Sequence, residues 1–335
     1  MEKIALIDGD IFIYWSPAIL ALAALAAICF YASVYLKKDG NLLALGLSVL
    51  SCVLLSLPLS RLVHWYCRTP NYESLNAAMT DYSSGGFALI GVFAACLITA
   101  CVLRLLRISK NLPTMLDSMS IGGGIGIVIG RLASLFNSSD RGMILPDDVP
   151  FPYASPIINS VSGVQENRLA TFMMQSILTG GIVVVLLLYM AWRALRKKKI
   201  RDGDICLMFL LGYGSTQIIC DSTRYDSLFL RSNGFVSVVQ ILGLVALLVP
   251  MVLFSIRMVK HDGKLKPWHF PIWLVALGLL GMTGYMEYYV QRNGHKAALA
   301  YSVMGACLAS VILLGLTIRW LSERPKKEAA APAKC

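Results

Sequence analysis

Residues 16–36 read SPAILALAALAAICFYASVYL, a run that contains no charged side chain. The hydrocarbon core of a bilayer is about 30 Å thick, and a helix needs about 20 apolar residues to cross it. Every backbone polar group in lipid must be satisfied within the spanning structure, and a single apolar run achieves this as a helix. The run is therefore predicted to be a membrane-spanning helix.

Similar apolar stretches recur along the whole chain. Of its 335 residues, 57% are hydrophobic and 15% are charged, and the mean hydropathy is +0.66. One soluble core could not hide so much apolar surface at such a low charge density. The sequence predicts an all-α, polytopic membrane helix bundle with about nine spans in total. The predicted spans are residues 16–36, 42–62, 86–106, 115–136, 171–192, 204–221, 236–256, 271–290 and 300–320.

Lysine and arginine residues are distributed unevenly between the two sides. If the amino terminus lies outside, the inside loops and the carboxyl-terminal segment hold 20 of the 30 basic residues. The positive-inside rule therefore favours an outer amino terminus and a cytoplasmic carboxyl terminus. The run from Arg196 to Lys199 contributes most to this difference. Residues 137–170, rich in Pro, Ser, Asn and Asp, then form a long outer loop that is too polar to span.

The distribution of charge and of cysteines argues against a nucleic-acid-binding protein and against a metal site. The net charge of +11 is spread in short clusters between apolar runs, which is typical of membrane topology rather than of a nucleic-acid-binding domain. The nine cysteines are scattered, with no Cys-x-x-Cys pair and no His/Cys cluster at metal-ligand spacing. We therefore expect no nucleic-acid partner, no metal and no cofactor.

Ionisable residues inside or at the ends of spans are costly in lipid, so each is a candidate functional residue. Arg131 follows Gly122, Gly126 and Gly130, whose four-residue spacing puts the glycines on one helix face. Close helix packing with an arginine that extends to the interface explains this pattern equally well. Asp117, near the inner end of the same span, is expected to cap the helix start.

Further ionisable residues lie at the outer ends of the second and sixth spans. Asp221 and Arg224 are three residues apart, close enough to pair, and a plain interfacial salt bridge is the alternative. Arg61 and His64 lie within an aromatic stretch that an interfacial belt explains equally well, although His64 could also act as a base. Together with Arg131, the two arginines would give the outer half three positive charges that suit a phosphate.

Five motifs occur in a fixed order along the first 250 residues. They are SRLVHWY (60–66), SGGFALIG (84–91), DSMSIGGGIGIVIGRLASLFN (117–137), GYGSTQIICDSTRYD (212–226) and VSVVQIL (236–242). This series resembles the motifs of the prolipoprotein diacylglyceryl transferases of bacterial plasma membranes, over roughly residues 15–250. The strongest match is the third motif, where the family has an Asp, then a small-residue helix that ends in Gly-Gln-x-x-Gly-Arg.

The resemblance has departures at positions where the family has polar or charged residues. Ile90 replaces a Tyr or His, Ser134 an Asn, Ser139 a Glu, Gln175 a Glu and Gln217 an Arg, while Asp221 stands for a Glu. The last two spans, 271–320, exceed the seven that the family usually has. The chain therefore resembles a divergent member of the family.

The resemblance implies that the chain moves the diacylglyceryl group of phosphatidylglycerol onto the lipobox cysteine thiol of a preprolipoprotein. Its partners would be phosphatidylglycerol, preprolipoprotein signal peptides and membrane lipid, in the bacterial plasma (inner) membrane. The implied catalytic residues are Arg131, Arg224, Asp221 and Tyr213. The implied substrate-binding residues are Arg61, Gly85, Gly86, Gly130, Asn137, Ser134, Gln217 and Gln240.

Several alternatives remain open at this stage. The thiol would be activated by Tyr213, by Asp221 or by the field around the phosphate, and Asn137 would bind the headgroup or cap a helix end. A catalytically degenerate lipid-binding protein of the same fold is the main functional alternative, ahead of a transporter. The expected domains are a transferase-like domain (1–258), two additional spans (259–321) and a disordered cytoplasmic tail (322–335).

Overall fold

The structure, a computed structural model, describes residues 4–8, 11–38, 40–81, 86–158, 163–230, 233–293 and 296–324. Ten α-helices occur in the described residues, with one short antiparallel two-stranded sheet before the first helix and two more between later helices. The helices are α1 (Trp15–Lys37), α2 (Leu42–Cys67), α3 (Leu75–Thr80), α4 (Leu89–Leu105), α5 (Leu112–Arg131), α6 (Thr171–Leu195), α7 (Asp204–Ser222), α8 (Val238–Asp262), α9 (His269–Arg292) and α10 (Ala297–Ser322). The strands are β1 (Ile4–Asp8), β2 (Ile11–Tyr14), β3 (Ala154–Ile158), β4 (Gln165–Leu169), β5 (Phe229–Leu230) and β6 (Asn233–Ser237).

The helices confirm the predicted all-α membrane fold. Eight of the described helices are long and apolar enough to cross a membrane, and each coincides with a predicted span. The remaining predicted span, 86–106, corresponds to α4, which has only 17 residues. The predicted outer loop contains the hairpin of β3 and β4, paired from Ala154 opposite Leu169 to Ile158 opposite Gln165.

The chain divides into two compact units within α8. Residues 1–244 form the first unit and residues 245–335 the second. In the first unit, α5 packs along α1 and α2 packs along α4. In the second unit, α9 and α10 pack on each other. The division lies before the predicted domain boundary at 258, and residues 325–335 of the predicted tail lie outside the described residues.

The glycine face of α5 allows this helix to approach α1 closely. A Cβ atom at Gly122 would overlap the carbonyl oxygen of Ala27 and contact Tyr31, while one at Gly126 would lie 2.9 Å from the Ala27 Cβ. Small residues permit such backbone approach and are enriched where membrane helices pack. Gly130, one turn further on, lies at ordinary contact distance from Ala23 of α1. The glycine spacing therefore serves helix packing.

Asp117 caps a different helix from the one that contains it. Its carboxylate accepts the backbone N–H groups of Gly203 (3.0 Å) and Cys206 (2.9 Å) at the start of α7, and it pairs with Lys38 (2.9 Å). The expectation that Asp117 caps its own helix was wrong, because Asp117 lies inside α5, which begins at Leu112. The first N–H groups of a helix have no intrahelical partner, so a carboxylate from a neighbouring helix satisfies them equally well.

Candidate functional site

The site lies where α5 and α7 end, within the first compact unit. Arg131 is the last residue of α5, and Arg224 follows α7 by two residues. Ser176 of α6 donates to the Val128 carbonyl of α5 (2.8 Å), and the hydroxyls of Thr171 and Thr223 lie 3.2 Å apart. These contacts fasten the start of α6 to the ends of α5 and α7. The three helices thereby hold the two arginines at one end of the unit.

A single carboxylate oxygen joins the two arginines. Asp140 Oδ1 lies 2.8 Å from Arg131 Nη1 and 2.8 Å from Arg224 Nη2, while Ser134 donates to Asp140 Oδ2 at 3.0 Å. All three charged side chains are largely buried, with at most 14% of each exposed. Charge-assisted contacts of this kind are short and strong, so they fix both guanidinium planes.

The three side chains of Arg131, Asp140 and Arg224 form the Asp140 cluster, and their contacts determine its charge state. Burial by itself would raise the pKa of the Asp140 carboxyl, but the guanidiniums of Arg131 and Arg224 hold that pKa below its usual range. Burial alone would lower the pKa of Arg224, and the carboxylates of Asp140, Asp226 and Asp221 raise it above its usual value. The cluster therefore stays fully ionised at neutral pH.

Arg224 has two further carboxylate neighbours. Its Nε donates to Asp226 Oδ1 at 2.9 Å, and its Nη1 lies 3.6 Å from Asp221 Oδ1. The other oxygen of Asp226 accepts the backbone N–H of Asp140 at 3.0 Å, so Asp226 also fixes the bridging residue. The spacing prediction that Asp221 and Arg224 lie close enough to pair is confirmed, although Asp140 and Asp226 make the shorter contacts.

The remaining predicted catalytic residue and two predicted binding residues surround the cluster. Tyr213 contacts the Arg131 side chain and stacks on Phe209, with ring centroids 5.4 Å apart. Ser134 holds the bridging carboxylate as described above. Asn137 shapes the turn that leads to it, since its Oδ1 accepts the backbone N–H of Ser139 at 2.9 Å. The structure thus brings six predicted site residues together around Asp140: Arg131, Arg224, Asp221, Tyr213, Ser134 and Asn137.

Gln217 and Gln240 have local partners in the described residues. Gln175 donates to Gln217 at 3.2 Å, and both side chains are buried, so the two neutral side chains pair where the family pattern has a Glu and an Arg. Gln240 forms a capping box at the start of α8, where its Oε1 accepts the backbone N–H of Ser237 and Ser237 Oγ accepts that of Gln240, both at 3.0 Å. Ser237 also donates to Asp221, which ties this cap to the cluster.

Arg61 occupies a different environment from Arg131 and Arg224. Its side chain is fully buried in α2 and donates to the carbonyls of Ala78 (2.6 Å), Gly86 (3.1 Å) and Asp81. These contacts tie α2 to Ala78 in α3, to Asp81 directly after it and to Gly86 ahead of α4. The described contacts do not include Arg61 in the Asp140 cluster, and Gly85 lies outside the described residues.

The sequence pattern missed Asp140, Asp226 and Arg141. Arg141 is buried and donates to the carbonyl of Ser134 (3.1 Å) and to Ser155 Oγ (3.2 Å), which braces the turn that carries Asp140. Ser139 stands where the family has a Glu, and the next residue is Asp140. The sequence therefore keeps a carboxylate one position away from the family's position. The backbone of Asp140 has a φ of +57°, which turns its carboxylate toward the arginines.

Two fixed guanidiniums around one oxygen form an anion clamp. Planar donors suit phosphate as well as carboxylate, so a phosphate oxygen beside Asp140 could take similar contacts. The family model for prolipoprotein diacylglyceryl transferase matches residues 3–256. The chain belongs to the prolipoprotein diacylglyceryl transferase family.

Individual relatives agree with this family assignment. The chain is 31% identical over 184 residues to a phosphatidylglycerol–prolipoprotein diacylglyceryl transferase of Shewanella sp. (strain MR-4), over 54% of this chain and 62% of that relative. It is 25% identical over 267 residues to the protein of that name from Lactococcus lactis subsp. cremoris, covering 78% and 97%. A Finegoldia magna protein of the same name is 24% identical over 268 residues, covering 79% and 100%. The matched part spans about three fifths of the length of the Shewanella relatives.

Proposed function

We propose that the chain transfers the diacylglyceryl group of phosphatidylglycerol to the lipobox cysteine thiol of a preprolipoprotein. The observation that supports this most directly is the convergence of Arg131 and Arg224 on one oxygen of Asp140. The proposed partners are phosphatidylglycerol and preprolipoprotein signal peptides. The proposed setting is the bacterial plasma (inner) membrane, with the amino terminus outside and the site at the outer face. Transferase activity would then belong to the first compact unit.

The reaction needs charge stabilisation more than any other catalytic effect. The thiolate sulfur attacks the diacylglyceryl carbon that is bonded to a phosphate oxygen, so a carbon–sulfur bond forms and that carbon–oxygen bond breaks. The electron pair of the broken bond goes to the phosphate oxygen, and glycerol phosphate leaves with one more negative charge. Arg131 and Arg224 would stabilise this charge, because preorganised cationic donors act strongest where charge develops in a partly buried site.

The three carboxylates around Arg224 have a positioning role in this scheme. Asp140 holds the two guanidiniums at a fixed separation, while Asp226 and Asp221 fix the orientation of Arg224. Tyr213 contacts Arg131 and would orient it or donate to the phosphate. A preorganised clamp of this kind avoids the free-energy cost of reorienting dipoles during the reaction.

The test is a transfer assay with purified protein, phosphatidylglycerol and a lipobox peptide, followed by the peptide mass. We expect a mass gain of one diacylglyceryl group on the cysteine, and a loss of at least about 100-fold in rate for Arg131→Ala. Arg292→Ala, an arginine at the end of α9 that contacts Tyr288, is the matched control and should keep the wild-type rate. Lipid binding without any transfer, while a relative is active under the same conditions, would favour the degenerate lipid-binding protein instead.

A further inference from the structure

His64 lies in the last turn of α2 with one ring nitrogen held in place. Its Nδ1 is 2.7 Å from the hydroxyl of Tyr72, and the two rings meet edge to face with centroids 5.8 Å apart. The imidazole is half-buried. Within the part of the chain that the structure describes, Nε2 has no hydrogen-bond partner. A Tyr72 hydroxyl that accepts from Nδ1–H leaves a lone pair on Nε2, which is the state that a general base requires.

The backbone at Gly86 passes directly over this histidine. Gly86 has a φ of +85°, and a Cβ atom there would lie 2.5 Å from the Tyr72 hydroxyl and 2.8 Å from His64 Cε1. Cε1 is the ring atom between the two nitrogens, so a side chain at this position would clash with the imidazole and only glycine lets the backbone approach it. Arg61 fixes the same backbone by its hydrogen bond to the Gly86 carbonyl. The imidazole therefore faces Gly86, which the family resemblance assigns to substrate binding.

Contacts one turn further along tie this part of α2 to the arginine clamp. Arg68 follows His64 by one helical turn and donates to the carbonyls of Asp226 (3.0 Å) and Ser227 (3.2 Å). Asp226 in turn binds Arg224 and the backbone of Asp140. His64 and the clamp thus lie on the same end of the first unit, linked through the segment 224–227.

An in-line displacement requires the base and the leaving-group clamp to be separate. The thiol attacks the carbon from the side opposite the departing phosphate oxygen, so the groups that serve each must lie on opposite sides of that carbon. The base lies about 3 Å from the sulfur, the sulfur lies about 3–3.5 Å from the carbon, and the guanidiniums lie about 3 Å from the leaving oxygen. The base and the guanidiniums are therefore expected to lie roughly 10 Å apart. Among the described residues, the contacts of Arg68 with Asp226 and Ser227 link the turn that carries His64 to the segment that carries Arg224.

We propose that His64 is the general base that removes the thiol proton, with Tyr72 as its positioning residue; this inference rests on the proposed transferase function. The proton of the cysteine S–H passes to His64 Nε2, and the thiolate then forms the carbon–sulfur bond. The carbon–oxygen bond electrons leave with glycerol phosphate, which Arg131 and Arg224 contact beside Asp140, and the imidazolium returns its proton to water or to that phosphate. Ile90, which the family resemblance places at a Tyr or His position, has no proton-accepting group.

The experiment compares wild-type protein with His64→Gln in the peptide transfer assay between pH 6 and 9. A positioned base contributes about 100-fold or more, so we expect a loss of that size at pH 7. The wild-type rate should rise with pH and then level off as the imidazole becomes neutral. The His64→Gln rate should instead keep rising about tenfold per pH unit toward the ordinary thiol pKa of about 8.5. Tyr72→Phe keeps the base and loses one hydrogen bond, and should cost about fivefold.

Controls separate a catalytic role from a structural one. His261→Gln replaces a histidine of the second unit and should leave the rate and pH profile unchanged. Phosphatidylglycerol binding and melting temperature should be the same for His64→Gln and wild type. A folded His64→Gln protein with the wild-type rate and pH profile, or one that has lost lipid binding, would overturn the role of His64 alone. A wild-type protein that binds lipid but never transfers would overturn the proposed function and this inference with it.

Discussion

Asp140 carries a charge whose removal would leave two buried guanidiniums without their shared partner. Asp140→Asn keeps the size of the side chain and removes the negative charge between Arg131 and Arg224. Breaking a buried ion pair from one side typically costs about 3–5 kcal/mol. We expect a lower free energy of unfolding by about that amount and a transfer rate reduced at least about tenfold, measured by thermal unfolding in detergent and by the peptide assay. Asp147→Asn, an exposed aspartate of the same loop, is the matched control.

The same residue gives a pH dependence with a definite sign. The folded-state pKa of Asp140 lies below its unfolded value, so its contribution to stability is complete above an unfolded pKa of about 3.9 and is lost as the pH falls further. Wild-type protein should therefore lose stability below about pH 4 more steeply than Asp140→Asn. Equal acid sensitivity of the two proteins would show that the carboxylate is not a stabilising partner of the arginines.

At the residue scale, the sequence predicted the two site arginines but not the carboxylate that pairs with both of them. Arg131 and Arg224 were found because ionisable residues at span ends are rare and the motifs fix their positions. Asp140 was missed because its role depends on a left-handed backbone conformation in an irregular turn, which residue spacing does not encode. The Gln175 and Gln217 substitutions, read separately as losses, are one hydrogen-bonded pair in the structure.

At the scale of single elements, the apolar runs predicted every long helix, while the starts of helices depend on tertiary contacts. The predicted span 86–106 begins as a helix only at Leu89. Arg61 holds the carbonyl of Gly86, and Ala88 donates its backbone N–H to the Ser60 carbonyl at 3.2 Å, so residues 86–88 are committed to contacts with α2. Hydropathy alone cannot reveal that these backbone groups have partners outside the helix.

The start of α7 offers a test at the same scale. Asp117→Asn removes the charge that binds Lys38, and weakens the contacts with the backbone N–H groups of Gly203 and Cys206. Loss of a cap costs about 1 kcal/mol and loss of a buried pair costs more, so we expect about 2–4 kcal/mol of destabilisation. Hydrogen exchange at residues 204–207 should accelerate, whereas Asp148→Asn in the exposed loop should leave it unchanged. Unaltered exchange in Asp117→Asn would mean that α7 does not depend on this cap.

At the scale of the whole molecule, the two ends of the first unit differ in charge and in chemistry. The end that carries the Asp140 cluster also carries the β3–β4 hairpin, since Gly142 and Arg224 form a backbone bridge, as do Ile144 and Arg168. The basic run 196–199 follows α6 at the end of that helix away from its start at Thr171, beside the cluster. An orientation set by the positive-inside rule therefore also decides which side of the membrane the clamp faces.

Thiol labelling of the full-length chain in cells tests this orientation. Ile158→Cys places a thiol on an exposed residue of the hairpin, and Lys198→Cys places one in the basic run. With the site outside, a membrane-impermeant maleimide should label Ile158→Cys in intact cells above the background of the native cysteines, and Lys198→Cys only after permeabilisation. The reverse pattern would put the clamp on the cytoplasmic side, where a preprolipoprotein could reach it only before its signal peptide has crossed. Labelling of both positions in intact cells would place them on the same side of the membrane. This result would contradict α6 as a full span, because α6 is the helix that lies between them in the sequence.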